Sequence, residues 1–184
     1  LKVLGDLETK WAAKEVTIPT YPLPEAQVDR FMLKVTIGYP SKAEELLIIR
    51  NHIHPSLNQQ VNPVISLTDI ERMRSLVDQI YMDEKIENYI VSLIFATRNP
   101  SEHGINDLAN FISFGASPRG SINLAMAAKA HAFLKGRAFV IPDDVQAMAS
   151  DVLKHRIGVT YEAEVANLKP EDLIQQIISR VEVP

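Results

Sequence analysis

The 184-residue chain contains no cysteine, which excludes a disulfide framework and any thiolate-bound metal. It has only seven glycines, and nowhere do they form G-x-x-x-x-G-K-[ST], the loop whose backbone N–H groups cradle nucleotide phosphates. Gly5 is followed by Lys10, but the second glycine and the Ser or Thr are missing. Positive charge is also scarce: 19 Lys and Arg stand against 23 Asp and Glu, a net charge of −4. Such a chain is not built to neutralise a nucleic-acid backbone. Arg98-Asn99-Pro100 and Lys154-His155-Arg156 are isolated basic spots without interleaved aromatics. No apolar run approaches the roughly 18 residues of a membrane span, and Leu1 to Lys14 lacks the basic-then-apolar order of an export signal. The compartment expected by default is cytoplasmic.

What remains is an ordinary globular composition, 46% hydrophobic and 23% charged, long enough for one domain or a domain and a half with a real core. Leu1 to Ile18 reads as a short helix around Trp11 followed by a strand at Val16-Thr17-Ile18. Pro19, Pro22 and Pro24 then exclude regular helix until Glu25, and Glu25 to Asp29 can make a turn and a half with Pro24 at its first position. Phe31, Leu33, Val35 and Ile37 alternate with Met32, Lys34 and Thr36, the signature of a strand, which stops at Gly38-Tyr39-Pro40. From Ser41 the pattern is helical. Ser41 with Glu44 forms a capping box for a helix to about His52. Thr68 is read as the cap of a helix to about Ile80, and Asp83 as the cap of one buried through Ile86, Tyr89, Ile90, Leu93 and Ile94. Asn51–Ser66 and Asn99–Ala116 read as irregular. Ser117-Pro118 opens the longest helix, to Lys135 with Gly136 as its stop, and its alanines 125, 127, 128, 130 and 132 mark it as the centre of a bundle. Phe139-Val140-Ile141 is a short extended bridge, and helices from Pro142 to about His155 and from Pro170 to about Val181 complete the chain.

Several residues have the chemistry of a site. Ile80-Tyr81-Met82-Asp83-Glu84 imitates the apolar-strand-then-Asp-Glu pattern that holds magnesium in ATPases, although Asp83 is also a natural helix cap. His52-Ile53-His54 could offer two imidazoles to a metal, but no third ligand completes the set. Asp143 with Asp144, and Glu162 with Glu164, are carboxylate pairs that capping and solvation also explain. Arg30 lies on the turn before the Phe31 alternation. A guanidinium there is a planar, permanently charged fork suited to phosphate, and equally a surface charge that can pair with Asp29 or Glu25. Arg119 sits in Gly115-Ala116-Ser117-Pro118-Arg119-Gly120, in the first turn of the long helix, where exposed N–H groups and the dipole favour an anion.

Thr20-Tyr21-Pro22-Leu23-Pro24-Glu25-Ala26-Gln27-Val28-Asp29-Arg30-Phe31 closely resembles a segment of the MoxR family of AAA+ ATPases. The resemblance continues at Leu33-Lys34-Val35, Gly38-Tyr39-Pro40, Glu44-Glu45-Leu46, Tyr89-Ile90-Val91, Ala96-Thr97-Arg98, Gly115-Ala116-Ser117-Pro118-Arg119, Arg137 to Asp144 and His155-Arg156-Ile157. It implies a mainly α fold, a helical-bundle AAA+ lid over 41–184 preceded by a short α/β remnant of the P-loop core over 1–40. By match, Arg30 resembles the arginine finger that reaches the nucleotide site of the next subunit, and Arg119 resembles the sensor 2 arginine at the γ-phosphate. The implied parent uses ATP and Mg2+ in a homo-oligomeric ring to remodel or mature client proteins, with a partner carrying a von Willebrand A-type domain and no nucleic acid. The Walker A loop, Walker B strand and sensor 1 asparagine of a complete member are not in this sequence. The expectation is therefore a fragment, or a sequence with internal segments missing, that alone neither binds ATP tightly nor hydrolyses it. The competing expectation is a non-catalytic helical interaction module.

Overall fold

The computed structural model of the chain describes residues 23–53 and 62–184. The helix and strand expected before Ile18, and His54, lie outside the described residues. The described chain is mainly helical: α1 (Glu25–Val28), α2 (Lys42–Ile53), α3 (Leu67–Asp78), α4 (Glu84–Arg98), α5 (Pro118–Leu134), α6 (Pro142–Leu153), α7 (Tyr161–Val165) and α8 (Pro170–Arg180). Two 3-10 turns, Pro100–His103 and Asn106–Leu108, follow α4, and two short strands, β1 (Ile112–Phe114) and β2 (Gly158–Val159), pair antiparallel.

The helix starts follow the capping chemistry of the sequence. Ser41 accepts from the Glu44 N–H while Glu44 accepts from the Ser41 N–H at 2.7 Å, and the Asp83 carboxylate accepts from the Lys85 N–H at 2.9 Å. For α3 the expected cap is displaced. Ser66, not Thr68, is the cap, with the Asp69 N–H donating to its hydroxyl at 3.1 Å and Asp69 accepting from the Ser66 N–H at 2.9 Å. The sequence encodes two overlapping boxes, Ser66/Asp69 and Thr68/Glu71, and the earlier one lengthens the helix by hydrogen bonds that the later would forgo. α5 starts at the Ser117 cap and stops at Gly136, whose φ of 71° is the left-handed conformation that ends helices.

The core lies between α4, α5, α6 and α8, where Leu93, Ile94, Leu124, Val145, Val152, Leu173 and Ile174 are buried. Each such side chain contributes about 1.5–3 kcal/mol by leaving water. α5 is central as expected. Ala127, Ala128 and Ala132 are buried, and these small side chains let α6 run closely along it. The bridge at Phe139 exists as a parallel contact with Tyr81, in which the Tyr81 N–H donates to the Ala138 carbonyl at 2.9 Å and the Val140 N–H to the Tyr81 carbonyl at 3.0 Å.

The strand expected at Phe31–Ile37 is not formed. A strand requires a ladder partner, and among the described residues this segment has none; its one long-range backbone bond there runs from the Lys34 N–H to the Asp151 carbonyl at 2.9 Å. The alternating residues Phe31, Val35 and Ile37 accordingly stay exposed, at 58%, 66% and 90%, while Met32 packs against the core. Asn99–Ala116, expected to be irregular, holds the two 3-10 turns and β1. No helix among the described residues is long and apolar enough to cross a membrane.

Candidate functional site

The start of α5 is built by close packing. A Cβ on Gly115 would lie 2.5 Å from the Thr97 carbonyl oxygen, so only glycine lets β1 run into α5 across the end of α4. The strap is fixed on both sides: the Ala116 N–H donates to Thr97 Oγ1 at 3.0 Å, and Arg98 Nε donates to the Ala116 carbonyl at 2.7 Å. Ala116 and Gly120 are buried, and a Cβ on Gly120 would press on Ala116 and Ile94 at 3.2 Å. Ser117, whose hydroxyl accepts from the Arg119 N–H at 3.2 Å, is thereby held at a helix end that carries partial positive charge.

The anion at that end is Asp29. Its carboxylate accepts from the Ser117 hydroxyl at 2.8 and 2.9 Å, from Arg119 Nη1 at 3.0 Å and from Arg156 Nε at 3.2 Å. Burial alone would raise this carboxyl, but the Ser117 and Arg119 hydrogen bonds and the charge of Arg156 outweigh it and hold the group below the ordinary carboxylate range. Arg156 is the anchor of the network. Its side chain is fully buried and donates to the carbonyls of Asp29 at 3.0 Å, Phe31 at 2.5 Å, Met32 at 3.3 Å and Val152. His155 Nε2 lies 2.9 Å from the same Phe31 carbonyl. Burial pushes His155 below its ordinary value, and the charges of Arg156 and Lys34 add to that against the carbonyl contact. A pocket of about 200 Å³ lined in part by Asp29, Ser117, His155 and Arg156 opens beside these groups.

Arg30 and Arg119 both adjoin Asp29, one as its chain neighbour and the other as its ion-pair partner. The Arg119 side chain is 57% exposed even while bound to Asp29, and Arg30, the next residue after Asp29, is exposed. Pairing of Arg30 with Asp29 or Glu25 does not occur among the described residues; Asp29 is taken by Arg119 and Arg156. The sequence pattern names Asp29, Ser117 and Arg156 separately but does not join them into one site. Arg156 had a signal: Val145, Ala149, Val152 and Arg156 fall at helical spacing, so the buried stripe of α6 leads to it.

The other candidates have structural roles. Asp144 is fully buried, accepting from Arg137 Nη1 at 2.7 Å and Nη2 at 2.5 Å, from the Ile141 N–H at 2.9 Å and lying 2.7 Å from His131 Nδ1. Burial works against its charge, yet Arg137, the Ile141 N–H and His131 together lower its carboxyl to about 2. It joins the end of α5 to the start of α6, while Asp143, Glu162 and Glu164 are exposed. Asp83 is a cap, and His52 ends α2 with Nδ1 3.2 Å from the Ile48 carbonyl. No cluster of three or more metal-ligating groups occurs among the described residues.

This helical bundle, with an arginine in the first turn of its central helix, is an AAA+ lid: residues 107–177 match the family model described as AAA lid domain. The chain is 39% identical to the chaperone MoxR1 of Mycobacterium tuberculosis over 89% of its own length and 43% of that protein, and 40% identical to YeaC of Bacillus subtilis over 90% and 49%. A crystal structure of a candidate ATPase from Cytophaga hutchinsonii superposes with a TM-score of 0.83 at 41% identity, covering 89% of this chain and 50% of that one. The chain belongs to the MoxR family of AAA+ ATPases and corresponds to its C-terminal portion. It spans about half the length of the curated relatives it matches.

Proposed function

We propose that the chain is the part of a MoxR-type ATPase, residues 1–40 ending its α/β core and 41–184 forming its lid, that supplies two arginines to the nucleotide sites of a homo-oligomeric ring, Arg30 to the site of a neighbouring subunit. Arg30 acts as the arginine finger and Arg119 as the sensor 2 residue. Phosphoryl transfer is accelerated mainly by positioning and by positive charge at the transferring group, and both guanidinium groups offer that charge. The observation that carries the reading is the Asp29 contact: one carboxylate binds Arg119 at 3.0 Å while its chain neighbour Arg30 stays exposed. A residue that reaches across a subunit boundary has to be exposed in its own subunit, and Arg30 and Arg119 both are. ATP and Mg2+ belong to the parent enzyme, whose cycle would remodel or mature client proteins in the cytoplasm, with a von Willebrand A-domain protein as partner.

In the ATPase carrying both this region and the nucleotide-binding core, Arg30→Ala is expected to lower turnover by about 10³-fold or more while ATP binding, read by calorimetry, is retained. Turnover unchanged in that variant would remove the finger assignment. A non-catalytic interaction module is the second reading, favoured by Leu46, Leu47, Ile48 and Ile49 of α2, each about half exposed. A G-x-x-x-x-G-K-[ST] loop encoded upstream decides for the ATPase.

A further inference from the structure

The Asp29 carboxylate sits where the start of α5 would otherwise hold a phosphate, which at first counts against a nucleotide role for Arg119. The charges resolve the conflict. Asp29 is shared by two guanidinium groups, Arg119 at 3.0 Å and Arg156 at 3.2 Å, so the cluster stays positive even before Arg30 is added. Only Nη1 of Arg119 is bound to Asp29, and with 57% of the side chain accessible the other donors remain open. One edge of the fork is fixed and the other is presented outward.

We propose that Asp29 is a positioning residue: anchored by Ser117 and the buried Arg156, it fixes the Arg119 guanidinium in the orientation that grips a nucleotide phosphate, and it acts through Arg119 and not on the nucleotide. A long surface arginine is flexible and must be ordered each time it binds. Asp29 has no such freedom, because the Ser117 hydroxyl and Arg156 Nε hold its carboxylate and Arg156 Nη2 holds its own carbonyl. The turn does not need the Arg119 contact for its attachment, since Arg156 already binds the carbonyls of Asp29, Phe31 and Met32. The contact is therefore available to serve Arg119.

The inference rests on the assignment of Arg119 to a nucleotide phosphate, and a double-mutant cycle in the complete ATPase separates the two. Asp29→Asn keeps the volume and one acceptor, and is expected to lower kcat about tenfold to a hundredfold. The pair Asp29→Asn with Arg119→Ala is expected to be no slower than Arg119→Ala alone, because residues acting as one unit are non-additive. Losses that multiply, or wild-type kcat in Asp29→Asn, overturn the positioning role. Full turnover in Arg119→Ala overturns the nucleotide assignment itself. Should Asp29→Asn fail to fold, Ser117→Ala removes one anchor of the same carboxylate. Its smaller loss of kcat should vanish in the Arg119→Ala background, and a loss that persists there overturns the inference equally.

Discussion

Replacing Asp144 by Asn tests whether the joint between α5 and α6 is held by charge. The carboxylate is fully buried, and Arg137 and His131, its charged or chargeable partners, are about a quarter exposed. Its carboxyl is lowered from 3.8 to about 2, and at about 1.4 kcal/mol for each factor of ten the ionised form contributes about 2–3 kcal/mol to folding. Removing one member of a fully buried pair costs about 3–5 kcal/mol; the partial exposure of Arg137 and His131 brings the expected loss for Asp144→Asn to about 2–3 kcal/mol. For a chain of this size that is a fall in Tm of about 5–10 °C. Urea titration followed by circular dichroism at pH 6 measures it. The pH dependence has a definite sign. A carboxyl lowered by folding adds stability above its unfolded value of 3.8 and loses it as pH falls toward about 2. The gap between wild type and variant should be full at pH 6 and narrow steadily below pH 4. A variant within about 0.5 kcal/mol of wild type at pH 6, or a gap just as large at pH 2.5, would refute the reasoning.

Two further substitutions probe how the site is built. Arg156→Met should cost about 3–5 kcal/mol, since Asp29 loses a buried partner and several carbonyls lose their donor; limited proteolysis should then cut within residues 25–36, and an uncut, equally stable variant would contradict the anchoring role. Gly115→Ala forces a methyl to within 2.5 Å of a backbone oxygen and should lower stability by about 2 kcal/mol or more, read as a drop in Tm, which an unchanged melt would disprove.

Most of the helices were legible because their signals are local. Ser41, Asp83 and Ser117 cap within three residues, Gly136 stops α5, and the apolar spacing of α4 and α8 needs no distant partner. The α3 cap and the short α7 with its Thr160 cap are local misses; the larger failures are non-local. Phe31–Ile37 has the alternation of a strand, but alternation does not supply a ladder partner. β1 and β2 pair across a long stretch of chain, with Ile112 opposite Val159, and two or three residues carry too little pattern to announce that. Arg30 and Arg119 were legible as candidates through the motifs around them, and both are exposed. The carboxylate that links them was not, because Asp29 in a short helix looks like any solvated acid until α5 and α6 are folded against it.

The position of Arg30 is consequently determined far from Arg30. The turn that carries it buries little apolar surface of its own: Phe31, Val35 and Ile37 are exposed, and Met32 alone packs on the core. Its attachment is instead polar, through the Lys34 N–H to Asp151, Ser117 to Asp29, His155 to Phe31 and the several bonds of Arg156. An ordinary hydrogen bond nets about 1 kcal/mol and one to a charged group about 1.5–3, so most of that attachment energy resides in Arg156, in the turn just after α6. Under the proposed function the finger is thus mounted on the lid, and its aim depends on an arginine that never leaves the interior. A loss of turnover in Arg156→Met with Arg30 intact is the consequence that separates this mounting from a finger carried by its own strand.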